Sequence, residues 1–327
     1  MALIVQKFGG TSVAEPRARA CIVGKLRAAR ARGDRVALVV SAMGRRGAPY
    51  ATDTLLDLLR ETGGDPDPAT SDLLVSTGEV ISACILSALL RKEGIPSIPM
   101  TAYTAGIEAE GPAGDATPIA VDAAAIRSKL DKGLVPIITG FQGLDSEGAV
   151  ITLGRGGSDT SAVAVGIALG ADFIDIYTDV PGVAKADPRV AKDAPYMDFL
   201  DYASMFRLAT HGARVLHDRS ALLAEKGQAL LRVRSTFDEG EGTLIGPEGK
   251  GKVPDFIGIG SATLPDGRLR LTAVFAKGRM TPAIALRLVD AEGQGGQILS
   301  DDPDALAFVC AAAAAGDLTR SLLERLK

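Results

Sequence analysis

The sequence predicts an α/β fold: a three-layer sandwich on a mostly parallel open sheet with helices on both faces, followed by a small α+β domain. Three observations carry this expectation. Apolar runs of strand length alternate with longer helix-like stretches along most of the chain, the rhythm of successive βαβ units. The strand candidates are almost wholly apolar rather than alternating, as strands covered on both faces must be. Near Asp238–Val253 the chain turns Gly-rich and charged (DEGEGTLIGPEGKGKV), which reads as a linker ahead of a shorter α+β pattern. The expected domains are therefore 1–246 and 253–327.

Taken in order, Leu3–Lys7 is a short apolar strand ending in a Gly-Gly turn, and Pro16–Arg32 is a helix with proline suited to its first turn. Arg35–Ser41 is a buried strand, Ser71–Glu93 a long helix stopped at Gly94, and Leu134–Thr139 another buried strand. Thr160–Leu169 reads as helix, Asp172–Tyr177 as strand, Tyr202–His211 and Ser220–Lys226 as helices, and Ala229–Ser235 as strand. Beyond the linker, Phe256–Ala262 and Leu269–Phe275 are strands, Thr281–Val289 a helix, Gln297–Ser300 a short strand, and the Ala-rich Ala305–Leu326 a helix.

Composition excludes several function classes. Apolar residues make up 46% of 327 and charged residues 23%, so the chain can bury enough apolar surface to order itself. Lys plus Arg number 36 against 40 Asp plus Glu, and aromatics are 4% with no Trp, which argues against a nucleic-acid partner. The basic run from Arg17 to Arg35 then reads as a solvated helix face. The longest uninterrupted apolar runs, such as Ala162–Ala171, are about ten residues, short of the roughly 20 needed to span a bilayer. No membrane partner is expected, and Met1–Lys7 lacks the layout of a secretion signal. Three scattered cysteines without a CxxC pair fit a reducing, cytoplasmic setting. With only His211 and His217 present, no protein metal site is expected, and a Ser-His-Asp hydrolase has few ways to be built.

Four segments stand where ligands of such sheets bind, outside the carboxyl ends of the strands. Lys7-Phe8-Gly9-Gly10-Thr11-Ser12 links the first strand to a helix. Adjacent glycines let main-chain N–H groups approach an anion, and Lys7 adds a point charge, so the segment reads as a phosphate cradle or as a plain strand-to-helix turn. Leu153–Ser161 (LGRGGSDTS) combines free amides with Arg155, a bidentate partner for carboxylates, and with Ser158 or Asp159 as helix cap. Tyr177-Thr178-Asp179 ends a strand and is followed by Asp187-Pro188-Arg189, which reads as a nucleotide-holding loop or as a simple turn. Glu79, in Ser76-Thr77-Gly78-Glu79, sits among Val80, Ile81, Ala83 and Ile85; a buried carboxylate needs a partner, and a substrate ammonium group is one, though the segment also reads as a plain helix N-terminal turn. No Walker-type phosphate loop, GxGxxG, GxSxG or HExxH is present.

Together these segments resemble the aspartokinases of the amino acid kinase superfamily. The matching runs are KFGGTSV (Lys7–Val13), VVSAMG (Val39–Gly44), STGE (Ser76–Glu79), TGFQG (Thr139–Gly143), TLGRGGSDTSA (Thr152–Ala162), YTDVPGV (Tyr177–Val183) and ADPRV (Ala186–Val190). The resemblance covers about Ala2 to Gly246, and GAPYATDTLL at Gly47–Leu56 is most like aspartokinases of spore-forming bacteria. It implies the amino acid kinase fold and transfer of the γ-phosphoryl group of ATP, with Mg2+, to the side-chain carboxylate of L-aspartate. That step leads toward lysine, diaminopimelate, threonine and methionine. Phosphoryl transfer asks for alignment and charge neutralisation, and a carboxylate is already a nucleophile, so no histidine base is required.

The resemblance also implies roles. Lys7 neutralises the transferring group and Asp159 orients Lys7. The main chain at Phe8, Gly9 and Gly10 binds phosphate, and Thr178, Asp179, Ala184, Lys185, Arg189 and Arg214 hold the nucleotide. Arg155 and Ser158, with Gly156 and Gly157, grip the α-carboxylate of aspartate; Glu79 takes its ammonium group, and Ser41 lines the pocket. The chain departs from the family pattern at Ala184, where tyrosine is usual, at Arg214, where lysine is usual, and near Ser204 and Arg207, where acidic residues are usual. Residues 253–327 have room for one ACT-type module where the family commonly has two, from which weak regulation by end-product amino acids and a homodimer are expected. Two other readings stand beside the first: an amino acid kinase with a different acceptor, and a non-catalytic amino-acid sensor that kept the fold.

Overall fold

The structure is a computed structural model that describes residues 1–213, 215–281, 284, 288, 297–299 and 302–326. It divides into two compact units, one of Met1–Pro181 and Leu223–Glu241, the other of Gly182–Leu222 and Gly242–Lys327. The division is not one cut along the chain, because 182–222 groups with the C-terminal strands while 223–241 returns to the first unit.

The chain runs β1 (Leu3–Phe8), α1 (Gly10–Ala14), α2 (Pro16–Ala31), β2 (Arg35–Val40), α3 (Thr52–Gly63), α4 (Pro68–Lys92), β3 (Ser97–Met100), α5 (Ala102–Ala105), β4 (Ile107–Glu110) and β5 (Thr117–Val121). It continues α6 (Ala123–Asp131), β6 (Val135–Thr139), β7 (Gln142–Leu144), β8 (Val150–Thr152), α7 (Gly157–Leu169), β9 (Phe173–Thr178), β10 (Phe199–Asp201), α8 (Tyr202–Thr210), α9 (Asp218–Lys226) and β11 (Leu231–Ser235). The last elements are β12 (Thr243–Gly246), β13 (Phe256–Thr263), β14 (Leu269–Phe275), β15 (Gln297–Leu299), β16 (Ala305–Cys310) and α10 (Ala315–Arg325).

In the first unit, six strands pair in the order β11-β9-β1-β2-β6-β3, all parallel. Register places Lys7 beside Val39 and Ile176, so the ends of β1, β2 and β9 open at one edge. Alternate residues of β2 face opposite layers. Val36, Leu38 and Val40 pack with Ile22 and Leu26 of α2 and with Ala83, Leu86 and Leu90 of α4. Ala37 and Val39, equally buried, point to the other face, where α6 and α7 pack on the sheet. A second sheet, β5-β4-β7-β8, is mixed: β4 is antiparallel to β5 and parallel to β7, and β7 is antiparallel to β8.

The second unit holds a four-stranded antiparallel sheet, β13-β14-β16-β15, against which α10 packs. Phe256, Ile259, Leu271, Phe275, Leu306 and Phe308 form its core with Leu318 and Leu322 of α10, and Ala186, Ala191 and Ala194 join them. In the same unit β10 and β12 pair in parallel.

Several expectations are corrected. Ala305–Leu326 is not one helix: Ala305–Cys310 is a strand paired antiparallel with β14, and the helix begins at Ala315. The high helix propensity of alanine gives way to burial beside two strands. The Gly-rich stretch 238–253 contains β12. Lys25 is not on a solvated face; it is buried, and Nζ donates to the Asp238 carbonyl at 2.6 Å. By mean hydropathy, 2.0 over 18 residues, α4 is long and apolar enough to cross a membrane, although no uninterrupted apolar run is. Half of that window is buried inside the protein, as in a core helix. The expected helix Thr281–Val289 lies mostly outside the described residues, as does Ser300 of the expected strand Gln297–Ser300; Gln297–Leu299 is a strand.

Candidate active site

A cavity of about 530 Å³ opens in the first unit at the carboxyl edge of β1 and β2. The β1–α1 turn contributes Lys7 and Gly10, and the loop after β2 contributes Ser41, Ala42, Gly44, Arg45 and Arg46. The α4 helix contributes Glu79, and the segment leading into α7 contributes Gly154 and Gly156–Asp159. Thr52, Asp53 and Phe141 complete the wall among the residues that matter chemically.

Lys7 is the penultimate residue of β1 and its Nζ lies 2.6 Å from Asp159 Oδ1 in the first turn of α7; both side chains are nearly out of solvent, at 12% and 13% exposure. Helix α7 starts at Gly157 with Gly156 as N-cap and no side-chain cap, so neither Ser158 nor Asp159 is spent on capping. That leaves the Asp159 carboxylate to orient the Lys7 ammonium group at the cavity wall. Asp159 also lies close to the positive end of a buried 13-residue helix, where a negative charge is favoured.

Glu79 lies well inside α4, which begins at Pro68 with the Asp67 side chain accepting from Thr70 N. At Gly78 the helix meets the loop after β2 so closely that a Cβ would fall 2.7 Å from Ala42 Cβ and 2.9 Å from the Tyr50 carbonyl oxygen. This approach lets Ala42 N donate to Glu79 Oε1 at 2.9 Å. The second oxygen, Oε2, is buried without a hydrogen-bond partner among the described residues. Burial pushes the carboxyl up to about 8, with the Ala42 N–H pulling the other way. A buried carboxyl with one unsatisfied oxygen at a cavity wall is an incomplete site for a cation.

Phe141, between β6 and β7, adopts φ 68°, a conformation that costs a side-chain-bearing residue energy and is found where function fixes the backbone. Its N–H donates to Ser161 Oγ and its carbonyl accepts from Leu153 N, which locks the segment to both sides of the α7 approach.

The expected residues fall into groups. Lys7, Gly10, Ser41, Glu79, Gly156, Gly157, Ser158 and Asp159 share the cavity wall. Arg155 lies on the same loop but is exposed and does not line the cavity. Gly9 is N-cap of the short α1, and the Phe8 ring is core, stacked on Tyr177 at 4.7 Å, which leaves only its main chain for a ligand. Thr178 ends β9 and Asp179 follows it; Thr178 Oγ1 donates to Asp179 Oδ1 and Arg45 pairs with Asp179 at 3.1 Å. Ala184, Lys185 and Arg189 belong to the second unit, where Arg189 pairs with Asp187. Arg214 lies outside the described residues. Sequence reasoning missed Ala42 N, whose role is purely main-chain, and the positive φ of Phe141, which no residue type announces.

The amino acid kinase family model matches residues 2–235. The chain belongs to the amino acid kinase family. Within this family it is similar to aspartokinase 1 of Bacillus subtilis, 40% identical over 77% of this chain and 63% of that protein. It is also similar to the aspartokinase of Thermus thermophilus, 42% identical over 75% of this chain and 59% of that one. The chain thus spans about six tenths of the length of the aspartokinases it matches. In fold it resembles the crystal structure of E. coli aspartokinase III in complex with aspartate and ADP, with a TM-score of 0.80 over 99% of both chains at 21% identity. The amino acid kinase match covers every residue named above as lining the cavity, from Lys7 to Asp159.

Proposed function

We propose that this chain is an aspartate kinase, transferring the γ-phosphoryl group of Mg-ATP to the side-chain carboxylate of L-aspartate to give 4-phospho-L-aspartate. The observation that carries the reading is the unsatisfied, buried Oε2 of Glu79 in the cavity that also holds the Lys7–Asp159 pair. An amino acid acceptor brings the one group Glu79 lacks, an ammonium. An N-acylated acceptor has no positive charge to offer there, only a neutral amide N–H.

In the reaction one oxygen of the substrate carboxylate forms a bond to the γ-phosphorus while the bond to the β–γ bridging oxygen breaks, and ADP leaves. The carboxylate needs no deprotonation, so no general base is required. Lys7, held by Asp159, offsets negative charge gathering on the phosphoryl oxygens. Ser158 and the loop at Gly156 and Gly157 receive the α-carboxylate, with Arg155 reaching over from the exposed side of the loop. Thr178, Asp179, Ala184, Lys185, Arg189 and Arg214 serve the nucleotide. Among the described residues no three His, Cys, Asp or Glu side chains gather as a metal site. An Mg2+ would be held chiefly by the nucleotide phosphates and water, and would supply charge neutralisation there. The same reading takes 1–246 as the catalytic domain, 253–327 as a single ACT-type module, a homodimer as the assembly and the cytoplasm as its setting.

The test is a hydroxamate assay with aspartate, with glutamate and with no acceptor. Turnover with aspartate alone is expected; equal turnover with glutamate, or none with either, overturns the proposal. Lys7→Ala is expected to lower kcat by about 100-fold or more, the scale set by losing one preorganised charge at the transition state. A folded variant with near-normal turnover shows that Lys7 does not have this role.

A further inference from the structure

Outside the residues already assigned, the described residues contain one buried carboxylate with an unusual set of partners. Asp72 lies in the second turn of α4 and is 3% exposed. Its Oδ2 accepts from Gly114 N at 2.9 Å and from Thr152 N at 2.7 Å, and its Oδ1 accepts from Thr152 Oγ1 at 2.8 Å. No cation pairs with it among the described residues.

Those three donors belong to the segments that carry the acceptor loop. Thr152 ends β8 and is followed at once by the loop Leu153–Gly157; its carbonyl also accepts from Ala116 N at 3.0 Å. Gly154 has φ 69°, and a Cβ there would lie 2.7 Å from the Gly114 carbonyl oxygen and 3.1 Å from Asp115 Oδ1. The loop therefore rests on the 112–116 turn, and Asp72 holds both the turn and the strand end. Seven residues separate Asp72 from Glu79, which returns to the same helix face about 10 Å further along the axis. A single rigid helix thus carries the carboxylate that lacks a cation and, two turns earlier, the clamp on the loop that lines the same cavity at Gly154 and Gly156–Asp159.

We propose that Asp72 is a positioning residue of the acceptor site, fixing the spacing between Glu79 and the Gly156–Ser158 loop and so the fit of the two charged ends of an α-amino acid. The inference rests on the aspartate kinase reading. The role is one of hydrogen bonding, so an amide is expected to reproduce it: asparagine can offer one oxygen to both backbone N–H groups and its NH2 to Thr152 Oγ1 once that hydroxyl turns round.

The test is steady-state kinetics of wild type, Asp72→Ala, Asp72→Asn and Thr152→Val, with melting temperatures measured alongside. Asp72→Ala is expected to raise KM for aspartate about tenfold while KM for ATP stays within about twofold, and Asp72→Asn to return KM for aspartate to within about threefold of wild type. An unchanged KM for aspartate, equal rises for both substrates, or an asparagine variant as impaired as alanine overturns the inference. Should Asp72→Ala not fold, Thr152→Val decides: it removes one donor and keeps the backbone N–H, and a rise of about two- to fivefold in KM for aspartate supports the clamp, no rise overturns it. A wild type inactive on aspartate overturns the underlying function, and this inference with it, whatever the variants do.

Discussion

At the scale of single residues, Glu79 shows how one side chain couples folding, binding and pH. Its ordinary value of 4.5 rises to about 8 because burial disfavours the charged form. Between those values the folded protein holds a proton that the unfolded chain has released, so stability falls as pH rises, by about 1.4 kcal/mol per pH unit from this site. Glu79→Gln removes that slope. Urea unfolding of both proteins at pH 5.5 and 7.5 is expected to show the wild type losing roughly 2–3 kcal/mol more than the variant over the interval. Under the proposed function, an arriving ammonium group favours the ionised carboxylate. Aspartate binding at pH 7 then expels a proton, seen in calorimetry as a heat that varies with the ionisation enthalpy of the buffer, and apparent affinity rises with pH toward 8. No proton release in the wild type, or the same release in Glu79→Gln, contradicts this account.

At the scale of elements, the parallel strands β1, β2, β6, β9 and β11 and the helices α2, α4 and α7 were legible in the sequence, because each pairs a distinct apolar pattern with a clear stop. The carboxyl end of β1 and the start of α7 then located Lys7, Ser158 and Asp159, whereas Ser41 came from the family resemblance alone. The small sheet of β4, β5, β7 and β8 was not legible, since three- to five-residue strands carry too little periodicity to stand out. Nor was α3, whose apolar side is only half covered. What remained hidden in the site was backbone: Ala42 N and the φ of Phe141. The contact of α4 with the loop after β2 depends on the missing side chain at Gly78. Gly78→Ala is expected to destabilise the protein by about 1–3 kcal/mol in urea unfolding and to raise KM for aspartate, because the added methyl group pushes Ala42 N away from Glu79. A variant with unchanged KM shows that the helix and loop yield without moving the carboxyl.

At the scale of the whole molecule, the chain passes from one compact unit to the other at 181, returns at 223 and leaves again at 241. Segment 182–222 belongs with strands that follow it by dozens of residues, and Ala186, Ala191 and Ala194 are buried in one cluster with Phe256, Ile259 and Phe275. A protein stopped after residue 246 therefore keeps every residue that lines the cavity yet strips Ala186, Ala191, Ala194 and α8 of the strands they pack against. It is expected to bind the dye ANS strongly and to aggregate on warming, whereas the full chain does neither. Such interleaving means that the two units have no separable genetic halves: an exchange of C-terminal segments between related proteins would have to carry two distant stretches together, or leave Ala186, Ala191 and Ala194 without the strands they pack on.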